Sequence, residues 1–426
     1  MIPIVREADI DGLLSRLAAR SVALDSELLS QVGSIIDDVR RRGDEAVIDY
    51  TRRFDGVELA TLRVTGDASR ESAARVDHEV VAALRLAIAN VRNFHERQRE
   101  ASWEIAPSDG VRLGQRITPL ERVGLYVPGG TAAYPSSIVM NVVPAQVAGV
   151  KRIIVTTPPQ TLAESPAVAA ALLELKVAEI YAVGGAQAIA ALAFGTETIP
   201  RVDKITGPGN KYVAAAKKLL FGVVGIDSIA GPSEIVIVAD RTARPDFVAA
   251  DLLAQAEHGE DASAVLITTN EGLAQHVGEE LTRQLESLPR RAIVESSLRD
   301  YGAIVLVNDL EVACALVNQL APEHVEIMTS DDEAVAARIA HAGAIFFGAY
   351  TPEAAGDYVA GPNHVLPTGR TARFSSALGV YDFVKRTSTL RYSESAFDSV
   401  ADAISVLAEC EGLAAHARSA RIRKQK

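Results

Sequence analysis

Residues that could bind a metal ion stand at the end of one apolar helical run. The run 247–256 leads into DLLAQAEHG (residues 251–259), where Gln255 and His258 lie three apart and so share one face of a predicted helix. An amide oxygen and an imidazole nitrogen are both possible ligands of a borderline metal such as Zn²⁺. A His at a helix C-terminus is more often a plain surface group, so this pair needs partners from elsewhere in the chain.

Further polar residues in apolar surroundings could supply those partners. Glu323 and His324 stand side by side in APEHVEI, between a predicted helix and a predicted strand, and such a pair can act as a base and a proton shuttle. Asp357 and His364 lie in a long predicted loop over 348–370, and loops of this length inside a compact domain are usually functional.

The last predicted helix, 397–417, carries a third such pair, Glu411 and His416, in EGLAAH. The metal candidates are therefore Gln255, His258, Asp357 and one histidine more. Spacing alone does not choose among the possible fourth ligands, which are His324, His364 and His416. Nitrogen and oxygen ligands without a thiolate fit a catalytic Zn²⁺, or Mn²⁺ or Co²⁺ in its place.

Three glycine-rich turns each follow a predicted strand: residues 128–130, 184–187 and 207–210. Glycines there allow a ligand to approach the backbone closely, and the start of the next helix favours an anionic group. The turns therefore fit a dinucleotide or phosphate ligand at the carboxyl edge of a sheet. Neither G-x-G-x-x-G nor the P-loop pattern occurs, so an ordinary dinucleotide-binding fingerprint is unsupported.

The elements that must position these residues alternate between short β-branched runs and helical segments from residue 120 onward. This alternation predicts parallel sheets covered by helices, in two α/β lobes of similar kind. Residues 26–54 and 71–102 are predicted as two long helical stretches, with His95 exposed on the second. The last 45 residues are too few for a core of their own and should pack on another lobe or another chain.

Composition limits the function further. The chain has 426 residues, 48% hydrophobic and 23% charged, with a net charge of −12, which argues against a general nucleic-acid binder. The two cysteines, Cys314 and Cys410, lie in apolar helical runs and are predicted to be small core residues, which fits a reducing cytoplasm. No secretory signal or membrane-spanning run is recognisable, so we expect a cytoplasmic protein without membrane contact.

These motifs together resemble histidinol dehydrogenase, nearly from end to end. The resemblance rests on ERVGLYVPGG, YAVGGAQAIAALAFGT, KITGPGNKYVAAAKK, IAGPSEIVIVAD, DLLAQAEHG, APEHVEI, GDYVAGPNHVLPT, ARFSSALGVYDFVKRTS and EGLAAH, in that order. It implies two incomplete Rossmann-like lobes with parallel sheets, and small terminal segments that intertwine a homodimer. We expect residues 21–125 and 234–381 in the first lobe, 126–233 in the second, and 1–20 and 382–426 in mainly helical dimerisation segments.

The resemblance also implies roles for individual residues. The ligands of one Zn²⁺ per subunit would be Gln255, His258, Asp357 and His416, and Glu323 and His324 would be the acid/base pair. Substrate would contact the four ligands together with Ser233, His324, His364 and Glu411, where Glu411 and His416 reach the partner chain's site. NAD⁺ would contact Tyr126, Gln187 and Asn210, which lie in or beside the three glycine-rich turns.

The implied reaction is the oxidation of L-histidinol to L-histidine through bound L-histidinal, with two NAD⁺, at the end of histidine biosynthesis. A related zinc and NAD dehydrogenase for another amino alcohol or polyol is the nearest alternative, but it would change the substrate contacts. A metal-dependent hydrolase or lyase would not need the three glycine-rich turns. A non-catalytic scaffold would not need a polar set in a long loop.

Overall fold

The computed structural model describes residues 2–20, 25–129 and 134–424, and short strands alternate with helices along most of this chain. The strands in chain order are β1 Ile4–Arg6, β2 Trp103–Ile105, β3 Val111–Pro119, β4 Arg122–Tyr126, β5 Arg152–Thr157, β6 Glu179–Ala182, β7 Lys204–Thr206, β8 Gly225–Ile226, β9 Glu234–Ala239, β10 Ser263–Thr268, β11 Ala303–Leu306, β12 His324–Met328, β13 Ala344–Phe347 and β14 Val384–Tyr392.

Most of the α-helices connect consecutive strands or pack beside them. In chain order they are α1 Ile10–Ala18, α2 Ser26–Arg42, α3 Asp44–Asp55, α4 Gly66–Ala73, α5 His78–Glu96, α6 Pro135–Ala148, α7 Thr161–Glu164, α8 Pro166–Glu174, α9 Gly185–Phe194, α10 Lys211–Leu220, α11 Pro245–Ala256, α12 Glu271–Leu285, α13 Arg291–Tyr301, α14 Leu310–Leu320, α15 Asp332–Ala336, α16 Glu353–Tyr358, α17 Glu394–Cys410 and α18 Ala414–Arg421. Among the described residues, no helix combines the length and the apolar character that crossing a bilayer requires.

Two parallel sheets form the centre of the fold. The five-stranded sheet has the order β6-β5-β4-β7-β8, and the six-stranded sheet has the order β1-β11-β10-β9-β12-β13. All of their pairs are parallel. Apart from β1, both sheets place their strands as third, second, first, fourth and fifth in chain order, which is the Rossmann order without its last strand. The predicted class, α/β with two incomplete Rossmann-like lobes, is confirmed.

Both faces of each parallel sheet are covered, which explains the nearly continuous apolar runs of their strands. In β9, Ile235 and Ile237 pack into one cluster and Val236 and Val238 into another, because successive side chains of a strand point to opposite faces. Since strands of this kind bury both faces, they are held in a single register by the two cores and form a rigid platform for the residues at their ends.

The helices before β4 pack differently from the predicted grouping. Leu28 and Val32 of α2 share a cluster with Ile154 and Ile189, and α4 and α5 pack against α8 and α6. Residues 26–96 therefore lie on the five-stranded sheet, whereas the family resemblance implies a lobe that joins 21–125 with 234–381. Helix periodicity shows that a helix has a buried face but not which sheet that face meets.

The terminal segments, which the resemblance implies to be mainly helical, also contain strands. Strand β1 adds to the edge of the six-stranded sheet by pairing with β11, so residues 2–20 belong largely to that lobe. Strand β14 pairs antiparallel with β3 over the whole of both strands, and β2 completes a separate three-stranded sheet. Helices α17 and α18 follow, divided at Gly412, whose φ of 74° ends the first helix.

Three local predictions were wrong. His95 is fully buried. Its Nδ1 lies 2.8 Å from the Val91 carbonyl oxygen, and its Nε2 lies 3.4 Å from the amide nitrogen of Asn363. Cys410 is exposed at the end of α17, although Cys314 is buried as expected. The helical stretch 26–54 is divided at Gly43, whose φ is 57°. The first two errors concern burial, which neighbours distant in sequence decide, whereas the third is a local effect of the Gly43 backbone.

Candidate active site

The candidate residues gather where the two parallel sheets meet. The carboxyl ends of β4 and β7 lie across a cavity of about 340 Å³ from the amino ends of β9 and β12. We call this the junction cavity, and its lining includes Gly207, Asp227, Ser233, His258, Glu323, His324, Asp357 and His364. Helix α11 connects the parallel strands β9 and β10 and therefore runs antiparallel to them. The chain that leaves its C-terminal end brings His258 to the amino ends of these strands.

A possible metal site lies at one side of the junction cavity. The Nε2 atom of His258 is 3.8 Å from Oδ2 of Asp357, and donor atoms of His258, Glu353 and Asp357 all lie within 4.8 Å of one another. Two ligand atoms that each lie about 2.1 Å from one ion can be at most about 4.2 Å apart, so the first pair can share an ion such as Zn²⁺. The nitrogen and oxygen donor set fits a catalytic zinc.

Gln255 lies directly behind this pair and is fully buried. Its hydrogen-bond pattern assigns the amide an orientation in which Nε2 donates to both carboxylate oxygens of Glu353, at 3.0 and 3.1 Å. The amide oxygen then remains an acceptor, which is the form that a metal ligand requires. Glu353 thus occupies the nitrogen of Gln255 and is itself buried, and burial raises the pKa of Glu353 well above its usual range.

His324 is held as a neutral base. Its Nδ1 lies 3.1 Å from the carbonyl oxygen of Glu234, which assigns the proton to Nδ1, and its Nε2 is buried without a partner among the described residues. Burial lowers the pKa of His324 to about 4, so the ring is uncharged at neutral pH. An uncharged imidazole with a free Nε2 can accept a proton from a substrate.

Glu323 is the second member of the pair and is also buried. Its Oε2 accepts a hydrogen bond of 3.1 Å from the backbone N–H of Glu234, and Ser233 also hydrogen bonds to its side chain. Burial raises the pKa of Glu323 well above its usual range, with further contributions from nearby carboxylates. A carboxyl group whose pKa is raised holds a proton more tightly than an exposed one and can serve in general acid/base catalysis.

His364 completes the side chains around Asp357. Its Nδ1 lies 3.0 Å from the carbonyl oxygen of Asp357 and 3.9 Å from the Asp357 carboxylate. Burial lowers the pKa of His364, so this ring is also neutral. Helix α16 and the turn that follows it therefore hold Asp357 and His364 together, inside what had been predicted as an irregular loop.

The glycine-rich turns line a second, larger cavity at the carboxyl edge of the five-stranded sheet. This turn cavity has a volume of about 1000 Å³ and includes Tyr126, Gly129, Gln187 and Asn210 in its lining. The Tyr126 hydroxyl accepts a hydrogen bond of 3.1 Å from the Gly185 N–H, and the Gln187 amide oxygen is buried without a partner among the described residues. Gly130, part of the first predicted turn, lies outside the described residues.

Two further features shape this edge. Asn210 caps α10, because its Oδ1 accepts from the N–H groups of Tyr212 and Val213 at 3.0 and 3.2 Å, so its amide nitrogen remains available. Gly207 has a φ of 112°, and a Cβ there would lie 2.1 Å from the Tyr126 carbonyl oxygen. The third turn can therefore be formed only with glycine at this position.

Glu411 and His416 lie apart from both cavities. They stand at the end of α17 and within α18, both are exposed, and neither lines the junction cavity. The structure of one chain thus brings together seven of the predicted residues in or directly behind the junction cavity and leaves these two outside. The seven are Ser233, Gln255, His258, Glu323, His324, Asp357 and His364, and α16 adds the unpredicted Glu353.

Two residues near the cavities were missed in the sequence. Glu353 stands four residues before Asp357, a spacing that places both on one face of α16, and this was the available signal. Asp55 lines the turn cavity at the end of α3, where one of its carboxylate oxygens is buried without a partner among the described residues. No motif marks Asp55, because it comes from a helix that packs on the sheet rather than from a turn.

Comparison with known proteins gives one consistent result. The family model described as histidinol dehydrogenase matches residues 18–424. The chain is 58% identical over 393 residues to histidinol dehydrogenase of Geobacillus kaustophilus (strain HTA426), covering 92% of this chain and 93% of the relative. It is 50% identical over 422 residues to the enzyme of Geobacter sulfurreducens (strain ATCC 51573 / DSM 12127 / PCA), covering 98% of each.

Solved structures agree with the sequence relatives. A crystal structure of histidinol dehydrogenase from Elizabethkingia anophelis superposes with a TM-score of 0.93 at 36% identity, covering 99% of this chain and 98% of the other. An acetylating aldehyde dehydrogenase from Geobacillus thermoglucosidasius has a TM-score of 0.51 at 14% identity, covering 90% and 96%, which shows the fold alone. The family match, the identities and the superposition together show that the chain belongs to the histidinol dehydrogenase family of oxidoreductases.

Proposed function

We propose that this chain oxidises L-histidinol to L-histidine through bound L-histidinal and reduces two NAD⁺, as the last steps of histidine biosynthesis. The observation that carries the proposal is His324, a buried neutral base whose free Nε2 lies in the same cavity as the His258–Asp357 pair. The family match supplies the substrate, since the relatives are named for histidinol. The chemistry then follows from the residues around the cavity.

One Zn²⁺ per subunit would be held by Gln255, His258 and Asp357 of one chain and by His416 of the other. When bound, zinc would orient the substrate and polarise it, without any redox change of its own. The 3.8 Å separation of His258 and Asp357 and the assigned orientation of Gln255 support this ligand set. Glu353 would fix the amide of Gln255 and leave its oxygen for the ion.

The chain's own residues would move the protons of both oxidations. In the first, His324 would accept the alcohol proton at Nε2 as hydride leaves the carbinol carbon, which yields the aldehyde. In the second, Glu323 would take a proton from the water that adds to the aldehyde, and hydride loss from the hydrate would give the acid. Neither cysteine lines the junction cavity, so a thiohemiacetal route has no nucleophile within the described residues.

NAD⁺ would bind at the turn cavity, where it would accept the hydrides. The cofactor would contact the hydroxyl of Tyr126 and the amide of Gln187, whose oxygen is buried without a partner among the described residues. It would also contact the amide nitrogen of Asn210, which helix capping leaves available. Ser233 and His364 would contact substrate in the junction cavity, beside the ligands. The two cavities lie along one sheet edge, which supports transfer between a substrate in one and a cofactor in the other.

The functional unit would be a homodimer in which Glu411 and His416 reach the partner's site. Two observations support this. The proposed ligand His416 is exposed and lies outside the junction cavity of its own chain. The C-terminal sheet and helices also expose large apolar side chains, including Leu390, Val406 and Leu407, which are 71%, 64% and 66% exposed. Such a patch is typical of a protein interface. A cytoplasmic location, without nucleic-acid or membrane partners, remains our prediction from composition.

One assay tests the proposal as a whole. Purified protein is given excess NAD⁺ and a limiting amount of histidinol, and the NADH formed per histidinol is counted, with and without a chelator. We expect two NADH per histidinol, lost on chelation and restored by Zn²⁺. One NADH per substrate would contradict the second oxidation. Equal or faster turnover of another amino alcohol would favour the related dehydrogenase instead.

A further inference from the structure

We propose that Arg20 is a positioning residue that holds the backbone on which Glu323 and His324 depend, without touching substrate. The inference rests on the proposed function for the roles of that pair. It concerns a residue from the segment after α1, which carries none of the motifs of the site. Arg20 does not line the junction cavity but a second cavity, which it shares with Pro232 and Glu234.

The guanidinium of Arg20 is almost completely enclosed, with 2% of its side chain exposed. Its Nη2 pairs with Oε1 of Glu234 at 2.8 Å, and its Nη1 donates to the carbonyl oxygen of Asp261 at 2.9 Å. Longer contacts of 3.3 and 3.5 Å reach the carbonyl oxygens of Ser233 and Pro232. One rigid, forked group therefore ties two separate backbone segments together.

The first of these segments orients both members of the acid/base pair. The N–H of Glu234 donates to Oε2 of Glu323, and the carbonyl oxygen of Glu234 accepts from Nδ1 of His324, each at 3.1 Å. The second bond fixes the tautomer of His324 and so keeps its Nε2 free as the base. Because the Glu234 side chain is anchored by Arg20, a change at Arg20 shifts the peptide that makes both bonds.

The second segment follows the metal-binding helix. Asp261 lies three residues after His258, in the turn that returns the chain from α11 to β10. Arg20 therefore links the turn after a proposed zinc ligand with the loop that carries Ser233, a proposed substrate contact. Pairing of β9 with β10 and the bond of 3.0 Å from the Ser263 N–H to the Ser233 carbonyl oxygen join the same two segments through the backbone. Among the described residues, Arg20 alone adds side-chain hydrogen bonds to the backbone of both Ser233 and Asp261.

Substitution of Arg20 should therefore lower the rate of the chemical step more than the affinity for substrate. Arg20→Lys keeps the charge but cannot serve separate acceptors in a fixed fork. Loss of a group that orients reacting side chains typically costs about 10- to 100-fold in activity. We expect kcat to fall by that factor while the KM for NAD⁺ and the zinc content stay near those of the wild type. Arg16→Ala, in the preceding helix α1, is the control and should leave kcat unchanged.

Chemical rescue separates positioning from general damage. Arg20 lines a cavity of about 240 Å³ together with Leu14, Leu17 and Pro322, so a small cation can reach the space that Arg20→Ala leaves. Guanidinium chloride at millimolar concentration should restore part of the kcat of Arg20→Ala, whereas sodium chloride at equal ionic strength should not. The melting temperature is recorded in both salts, so that recovery of activity without a change in stability identifies repositioning.

A second variant covers the case in which Arg20→Ala does not fold. Arg20→Met combined with Glu234→Met removes both charges and keeps the volume, which is often neutral for stability. We expect a folded dimer with normal zinc content and reduced kcat. Wild-type kcat in Arg20→Lys or in the double variant would overturn the positioning role, as would equal recovery in sodium chloride. Because wild-type turnover of histidinol is measured first, these results are distinct from a failure of the proposed function.

Discussion

His258 Nε2 lies 3.8 Å from Asp357 Oδ2, although one residue follows the crossover helix α11 and the other lies on the short helix α16 far along the chain. Two groups that are brought so close without a hydrogen bond between them are suited to share a cation. The carboxylate of Glu353 lies in the same cluster, where it accepts hydrogen bonds from the Gln255 amide nitrogen and can orient that amide. The arrangement therefore gives Asp357 the role of a metal ligand and Glu353 the role of a residue that positions the ligand Gln255.

The distinction gives a prediction for Asp357 and Glu353. Asp357→Asn removes a charged ligand and should abolish both zinc binding and histidinol oxidation, whereas Glu353→Gln keeps a group that can hydrogen bond to Gln255 and should retain most of the zinc. Zinc content per subunit and its dissociation constant are measured after dialysis against a chelator. Loss of zinc from Glu353→Gln equal to that from Asp357→Asn would identify Glu353 as a ligand.

His324→Asn should slow the first oxidation. The variant keeps a polar side chain but has no Nε2 base, and removal of such a base typically reduces a rate by about 100- to 10,000-fold. Zinc content should stay near that of the wild type, because His324 is not in the proposed ligand set. Single-turnover NADH formation from histidinol measures the step. Unchanged turnover would remove His324 from the role of base.

Glu323→Gln should affect the second oxidation more than the first. The amide can still accept from the Glu234 N–H, so local structure should be preserved, but it cannot take a proton from water. The rates of NADH formation from histidinol and from histidinal are compared in the same preparation. Equal losses with the two substrates would contradict the proposed division of roles between Glu323 and His324.

Mixing two inactive variants should restore activity if the site is shared between chains. His258→Ala and His416→Ala each remove one ligand, and a mixed dimer has one site in which both residues are intact. Random exchange of subunits predicts recovery of about a quarter of wild-type activity. Mixed dimers are confirmed by differently tagged subunits. Their formation without any recovery would place His416 outside the partner's site.

Acid should destabilise the fold through His324. Burial lowers the pKa of His324 to about 4, whereas an unfolded His titrates at about 6.5. Between these values the unfolded chain binds a proton that the folded chain does not, so stability falls as the pH is lowered through this range and is unaffected above it. One such group lowers the free energy of unfolding by about 2 kcal/mol between pH 7 and pH 5.

Urea unfolding of the wild type and of His324→Gln at pH 7 and at pH 5 measures the contribution of His324 to the free energy of unfolding. The wild type should lose about 2 kcal/mol more than the variant on acidification, because the variant has no proton to bind at this position. The difference between the two proteins removes the effects of all other groups. Parallel losses would mean that His324 is not the group that titrates.

The sequence predicted the strands of both sheets well, since β9 and β10 are apolar runs of a kind that only buried parallel strands have. It did not predict which sheet α2 to α5 would cover, because an apolar helix face fits either. The site was predicted from short motifs and from the family resemblance. Geometry then placed Ser233, His258, Glu323, His324, Asp357 and His364 around one cavity.

What the sequence could not supply was the surroundings of each polar group. Glu353 looks like an exposed residue at the start of a loop, yet it is 1% exposed and contacts Gln255. His95 has charged neighbours in sequence and is nevertheless buried against Asn363. Burial of a polar side chain depends on chain segments hundreds of residues away, which local periodicity does not encode.

Strand β1 has a consequence for the synthesis of this protein. Residues 4–6 emerge from the ribosome long before their partner strand β11, which spans residues 303–306. At roughly 5 to 20 residues per second, the amino-terminal segment waits about 15 to 60 seconds before it can pair. Arg20 and its partner Glu234 are likewise translated far apart. A nascent chain interrupted before residue 303 would therefore have an unpaired sheet edge and no completed site, and would be a substrate for chaperones.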